Sequence, residues 1–408
     1  MKQERLLVGV DVGFRRHHVA IGGPGGIVDE FEITHDSKGF EHFFNQIKMQ
    51  THHQKFPTVV VGMEGTNGHA RPLDQMVKNQ GYTLLNVNNL KFARFKEIFA
   101  TPAKTDQIDA KQIVTLMMMA PFMQQMKETL QETPKIDEIE MQLKRISRRR
   151  RQLVQEKVIV QNRMQADLQS VCPGFLDTVK KVDSLYVLNF LSSRKSIRKL
   201  AKLSPAKMQK IPGIGEHFAA KLGSWQKTAT FGAEADWVGP MIHMDAKRIL
   251  ELKEQIKTLE EQLQGLIEKS YLASLLMSIP GYGPICAAEI CGEIGTLTRF
   301  DTEAGLAMYM GMAPIDNSSG DYKGTKTPRH VNKRAKAAMM AALGIHIQNV
   351  PQSRLYYQRK RAQGKKHNQA LRSLGRHMTR IIWSMAKYNR PYEIRTCPPE
   401  EPPNVTAA

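Results

Sequence analysis

Residues 5–12, Arg-Leu-Leu-Val-Gly-Val-Asp-Val, form a nearly continuous apolar run of strand length with an aspartate close to its end. Such a run predicts a buried strand. His17 to Ile21 and Ile27 to Ile33 predict two more strands, turned by Gly22-Gly23-Pro24-Gly25-Gly26. Phe40, Phe43, Phe44 and Ile47 then recur at helical spacing. A second apolar run, Thr58-Val59-Val60-Val61-Gly62-Met63, precedes Glu64. A helix over 69–80, a strand over 82–87 and a short helix lead to Lys104-Thr105-Asp106-Gln107-Ile108-Asp109-Ala110, which opens a helix running to about Met119. Three strands, helix, strand, helix, strand, helices: that order predicts a mixed sheet with helices on both faces, the ribonuclease-H arrangement.

Beyond Pro121 and Pro134 the period changes to heptads. Ile139, Leu143, Ile146, Leu153, Val160 and Met164 keep a and d positions, with Arg150 and Lys157 intruding on the seam. Ile249, Leu252, Ile256, Leu259, Leu263 and Leu266 keep a cleaner set. Two such helices predict an antiparallel coiled coil or arms that join another subunit's, each about 45 Å long. The plainer alternative is a helical hairpin within one core. Residues 170–235 between them predict a small helical cap. From Ser278 a further helical region begins, in which Pro314-Ile315-Asp316-Asn317-Ser318-Ser319-Gly320 is expected as a polar loop between helical segments. A last basic helical stretch covers 353–388. The expected domains are 1–125, 134–277 and 278–393, with 394–408 a Pro-rich, polar tail expected to be disordered.

Length and charge narrow the function. A chain of 408 residues suits two or three domains, and 41% hydrophobic residues can bury their cores. Lys plus Arg number 59 against 39 Asp plus Glu, a net charge of +20. That excess implies a polyanionic partner, nucleic acid before a membrane surface, since no apolar run approaches the ~20 residues of a spanning helix. No signal peptide is expected from the opening Met-Lys-Gln-Glu-Arg. Cys172, Cys286, Cys291 and Cys397 form no Cys-x-x-Cys pair, which predicts a reduced, cytoplasmic protein without structural zinc.

Asp11 and Glu64 stand at strand ends, where a sheet edge presents side chains to a crevice. Asp106 and Asp109 lie three apart at a helix start and share one face. Four converging carboxylates stay ionised only with divalent cations, and hard oxygen ligands favour Mg²⁺ or Mn²⁺. Two ions ~4 Å apart can clamp the attacking and leaving oxygens of a phosphodiester. The structural alternatives are an N-cap for Asp106, a first-turn residue for Asp109 and a turn residue for Asp11. The run Lys144-Arg145-Ile146-Ser147-Arg148-Arg149-Arg150-Arg151 is dense enough to predict phosphate contact. Pro280-Gly281-Tyr282-Gly283 fits a helix-hairpin-helix turn whose backbone N–H groups suit a DNA phosphate. Lys323, Lys326, Arg329, Lys333 and Arg334 follow the serine stretch.

In sum of motifs, the chain resembles the DEDD transposases of the Piv/MooV family, the IS-one-ten insertion-sequence group, whose members include bridge-RNA-guided recombinases. Val10-Asp11-Val12-Gly13, Met63-Glu64-Gly65-Thr66, Lys104-Thr105-Asp106-x-x-Asp109-Ala110-Lys111, Pro280-Gly281-x-Gly283 and Ser319-Gly320 match its motifs in order. After the serine, Asn332-Lys333-Arg334-Ala335-Lys336-Ala337 departs from the family in lacking a glycine and an arginine. The resemblance implies a RuvC-like domain holding Mg²⁺ on Asp11, Glu64, Asp106 and Asp109. It also implies a serine nucleophile forming a 5′-phosphoserine link, and a structured noncoding RNA that pairs with donor and target DNA. Ser319, followed directly by glycine, is the first candidate and Ser318 the second. A homo-oligomer, dimer or tetramer, is expected. The competing function is a RuvC-like metal nuclease that cuts branched DNA with activated water. A non-catalytic nucleic-acid binder is the third, and four intact acids argue against it.

Overall fold

In the computed structural model, which describes residues 5–54, 56–64, 71–98, 106–122, 129–326, 328 and 331–394, the first apolar run is strand β1 (Arg5–Val12). It pairs antiparallel with β2 (Arg16–Gly23), which pairs antiparallel with β3 (Gly26–Thr34). On its other side β1 runs parallel to β4 (Thr58–Glu64), and β4 parallel to β5 (Thr83–Val87). A short β6 (Leu130–Glu132) closes the order β3-β2-β1-β4-β5-β6, antiparallel to β5. β6 is not legible in the sequence, because three residues carry no periodicity of their own. Parallel neighbours need crossovers: helix α1 (Ser37–Gln54) joins β3 to β4, and α2 (Arg71–Asn79) stands between β4 and β5. Their apolar residues Phe43, Ile47, Leu73 and Val77 share one core with Val8, Val10, Val61 and Met63. Alternate strand residues point the other way. There α3 (Asn89–Lys96) and α4 (Asp106–Met119) pack Phe92, Phe95, Ile113 and Leu116 against Val60 and Val87. The N-terminal region is thus mixed α/β with helices on both faces, as predicted.

The chain divides into two compact units, Met1–Lys135 and Ile136–Ala408. The second is mostly helical. Its outgoing arm is one helix, Glu138–Val171, and its returning arm another, Ala235–Ile267. Ion pairs Arg150–Glu260, Arg248–Glu156 and Arg163–Asp245 step along the two helices in opposite senses, which makes the pair antiparallel and internal to one chain. The two seam cations have carboxylate partners: Arg150 Nε donates to Glu260 at 2.7 Å and Lys157 Nζ to Asp183 at 3.1 Å. Between the arms, five short helices from Phe175 to Thr228 close on Phe175, Phe190 and Trp225, where the indole meets both phenylalanine rings edge to face.

The C-terminal helices Tyr271–Met277, Pro284–Ile294, Glu303–Tyr309, Lys333–Asn349, Pro351–Ala362 and His367–Tyr388 surround another core. Leu143, Leu263 and Ile267 at the base of the arms belong to that core too. The basic stretch expected to be helical over 353–388 is so, as two helices, between which Gly364 adopts a positive φ of 79° and turns the chain. The expected serine loop is also corrected. Ile315–Ser319 is a strand, β7, paired antiparallel with β8 (Tyr322–Lys326). Ser319 pairs with Tyr322 across a two-residue turn opened by Gly320 at φ 55°, where glycine supplies the left-handed backbone a tight hairpin needs. Residues 395–408 lie outside the described residues. No described helix is long and apolar enough to cross a membrane.

Candidate active site

Two strands carry the same three-residue phrase, glycine, any residue, acid: Gly9-Val10-Asp11 on β1 and Gly62-Met63-Glu64 on β4. Gly9 and Gly62 are directly in register. With a period of two, each glycine and the acid two residues on face the same side of the sheet. A Cβ at Gly9 would stand 2.4 Å from the Ala110 carbonyl oxygen, and one at Gly62 2.6 Å from Met117 Sδ. The missing side chains therefore let α4 lie close on the sheet. Its first turn then delivers Asp109 to Asp11 and Glu64, and the three carboxylates offer oxygens all within 4.8 Å of one another.

Asp109 is buried, while Asp11 and Glu64 are half-exposed. Burial, then the charges of Asp106, Asp109 and Glu64, push the Asp11 carboxyl up from 3.8 to about 6, against the opposing pull of Lys96. Asp106, exposed one turn before Asp109, acts on Asp11 through its charge and stands outside the trio. Lys96, which sequence reasoning missed, donates from Nζ to Asp109 Oδ2 at 2.7 Å and lies 4.7 Å from the centre of the Phe92 ring. A set of three carboxylates, in which the other two raise the proton affinity of Asp11, fits a hard divalent ion.

The serine hairpin belongs to the other compact unit. Ser318 and Ser319 are both exposed, on opposite faces of β7. Ser319 shares its face with the half-buried Ile315 and Asn317. The chain on either side is tied together: Asn332 N–H donates to the Tyr309 carbonyl at 2.8 Å.

Two family models match the chain. A transposase model of the DEDD, IS110 type covers residues 8–173, and one described as "Transposase IS116/IS110/IS902 family" covers 273–358. The chain belongs to the IS116/IS110/IS902 family of transposases. It is 28% identical over 96% of both chains to the "Insertion element IS110 uncharacterized 43.6 kDa protein" of Streptomyces coelicolor. It is 31% identical to the "Insertion element IS900 uncharacterized 42 kDa protein" of Mycobacterium paratuberculosis, over 37% of this chain and 38% of that one. The "Pilin gene-inverting protein" of Moraxella lacunata is 28% identical over 35% of this chain and 46% of its own. The protein is a DNA transposase/recombinase, and its substrate is DNA.

In this transposase the arginine run divides into two sets. Arg148 makes two hydrogen bonds to Glu293, at 2.6 and 2.8 Å, and Arg151 pairs with Glu289. With Arg150 on Glu260, three arginines of the run therefore serve the fold. Arg145 and Arg149 are exposed, and Lys144 half-exposed. Gly281, at φ 92°, is packed: a Cβ there would meet His346 N at 2.6 Å. Gly283 is the exposed glycine and caps the helix Pro284–Ile294 with extended backbone. Lys326 is exposed beside the hairpin turn's strand, and Lys323 lies on the same strand. Lys333 and Arg334 are exposed in the first turn of Lys333–Asn349, where the helix dipole disfavours cations. A polyanion would compensate that placement. Arg329 lies outside the described residues.

Proposed function

We propose that this transposase cuts and rejoins DNA through Ser319, assisted by Mg²⁺ or Mn²⁺ held on Asp11, Glu64 and Asp109, with Asp106 beside them. The observation carrying this reading is the convergence of three carboxylates on a glycine-notched sheet. Its strand order, three antiparallel strands followed by two parallel ones, supports a ribonuclease-H or RuvC-like assignment. The helix-hairpin-helix assignment for 271–294 rests on two helices joined by Pro280-Gly281-Tyr282-Gly283. When bound, the ion supplies Lewis-acid polarisation of phosphoryl oxygens.

In the proposed step Ser319 Oγ attacks phosphorus, the Oγ–P bond forms and the P–O3′ bond breaks. The proton lost by the serine hydroxyl is balanced by the one gained at the departing 3′-oxygen. The strand is then held as a 5′-phosphoserine until another 3′-hydroxyl reverses the exchange. Exposed Lys326, Lys333 and Arg334 neutralise phosphates near the hairpin. Arg145 and Arg149 offer a second basic surface, for which we infer a structured noncoding guide RNA. Homo-oligomerisation completes the reading.

The test is a panel of single alanine substitutions assayed for strand cleavage, covalent adduct and nucleic-acid binding. Asp11→Ala, Glu64→Ala, Asp106→Ala and Asp109→Ala should abolish cleavage yet bind as the parent does. Ser319→Ala should lose the adduct. Cleavage persisting at full rate in Ser319→Ala would favour the water-driven nuclease instead. Binding of structured RNA should weaken steeply as salt rises from about 50 to 200 mM; salt-independent affinity would remove the RNA from the proposal.

A further inference from the structure

The helix Glu303–Tyr309 is followed by Met310 and Met312, still buried in the C-terminal core; beyond them the chain runs to the serine hairpin, and Asn332 then caps Lys333–Asn349. The serine hairpin, Ile315–Lys326, is an excursion from that core. Its two flanks, at Tyr309 and Asn332, are joined by more than the backbone bond between them. Asn332 Nδ2 donates to Tyr309 Oη and to Glu293 Oε2, both at 2.7 Å. Tyr309 Oη in turn donates to the Glu293 carbonyl at 2.7 Å. Asn332 Oδ1 meanwhile accepts from the N–H groups of Arg334 and Ala335 at 3.0 Å. Both polar atoms of the asparagine side chain are thus occupied, with carboxylate and phenol on one side and helix amides on the other.

Glu293 is 1% exposed. A buried carboxylate needs compensation, and it receives it from Arg148 of the outgoing arm on the same two oxygens. Burial would raise this carboxyl, but Arg148 and Asn332 hold it below the ordinary range. Only an asparagine satisfies the position. Aspartate or serine would cap the helix as well, but aspartate sets a second carboxylate against Glu293, and serine has no amide to donate.

We propose that Asn332 is a positioning residue that clasps the two flanks of the excursion and so sets where Ser319 stands, with Glu293 as its anchor and Arg148 as the anchor's counter-charge. This rests on Ser319 being the nucleophile. The clasp gives part of the arginine run a role in holding the reacting hairpin, distinct from contact with nucleic acid.

The test separates capping from clasping. Asn332→Asp and Asn332→Ser, made in the full chain, are followed by single-turnover formation of the covalent protein–DNA adduct, by DNA affinity, and by amide hydrogen exchange across β7 and β8. The clasp predicts that both variants form adduct at least tenfold more slowly, bind DNA within twofold of the parent, and exchange the hairpin amides at least tenfold faster. Asn332→Asp combined with Glu293→Gln reverses donor and acceptor and should recover part of the lost protection and rate. Parental exchange and adduct rates in Asn332→Asp would overturn the proposal and leave Asn332 a helix cap. If the parent itself forms no adduct at Ser319, the nucleophile assignment falls. Hairpin exchange in Asn332→Asp then still decides the clasp: unchanged protection overturns it.

Discussion

Asp11 sits where its negative charge is opposed by burial and by three other carboxylates, with Lys96 as partial relief. Its folded-state pKa of about 6 lies above the ordinary 3.8, so the protonated form favours the fold. That contribution is fully present below about pH 4 and is lost as pH rises through about 6. At pH 8 without divalent ions the ionised group therefore destabilises the N-terminal unit. Asp11→Asn should melt a few degrees above the parent there, the gap narrowing as pH falls from 6 to 4. Mg²⁺ should raise the parent's melting temperature and not the variant's, while the variant loses cleavage. Calorimetry at three pH values checks this, and an Asp11→Asn protein that melts below the parent at pH 8 would contradict it. The acids themselves were legible in the sequence, as residue types at strand ends and a helix start. Lys96 was not, because a lysine on a short basic helix looks like any solvated cation until tertiary packing brings it to Asp109.

At the scale of elements, the site depends on how closely α4 can approach β1 and β4. Gly9 and Gly62 set that distance, and the paired Gly-x-acid phrases were available in the sequence as a signal that went unread. Gly62→Ala must push its methyl into Met117 Sδ, 2.6 Å away. Methionine is flexible, so the helix shifts only modestly and the overpacking costs about 1–3 kcal/mol. The same change displaces Asp109, so Mn²⁺ binding followed by electron paramagnetic resonance should weaken severalfold. Gly25→Ala, at a turn in open space, should leave Mn²⁺ binding unchanged. Equal metal affinity in Gly62→Ala and parent would show that the glycine notch does not position the acids. Heptads made the two arms readable because periodicity over thirty residues is a strong local signal. The serine hairpin was misread as a loop for the opposite reason. After Ile315, Asp316-Asn317-Ser318-Ser319 are all turn formers, and their strand character comes from pairing with Tyr322–Lys326 around Gly320.

For the whole molecule, the acids and the serine stand in separate compact units, Met1–Lys135 and Ile136–Ala408. A serine hydroxyl is a weak nucleophile at neutral pH and needs a base or a metal to activate it. Among residues near it in sequence, His330 is the nearest histidine and lies outside the described residues. On the proposed function, activation comes from metal held by the acid cluster, over two hundred residues upstream. We expect each reacting site to be assembled from two subunits of an oligomer, one supplying Asp11, Glu64 and Asp109, the other Ser319. Mixing Ser319→Ala with Asp11→Ala protein should then restore part of the activity that neither has alone, since some sites would combine one intact half from each. With random pairing about a quarter of the sites would be whole. The covalent DNA should be found only on subunits that keep Ser319, which differently sized tags on the two proteins would reveal by gel mobility. If the two variants co-assemble and nothing is restored, the site lies within one chain. An adduct that persists in Ser319→Ala and disappears in Ser318→Ala would move the nucleophile one residue along β7, to the opposite face of the hairpin.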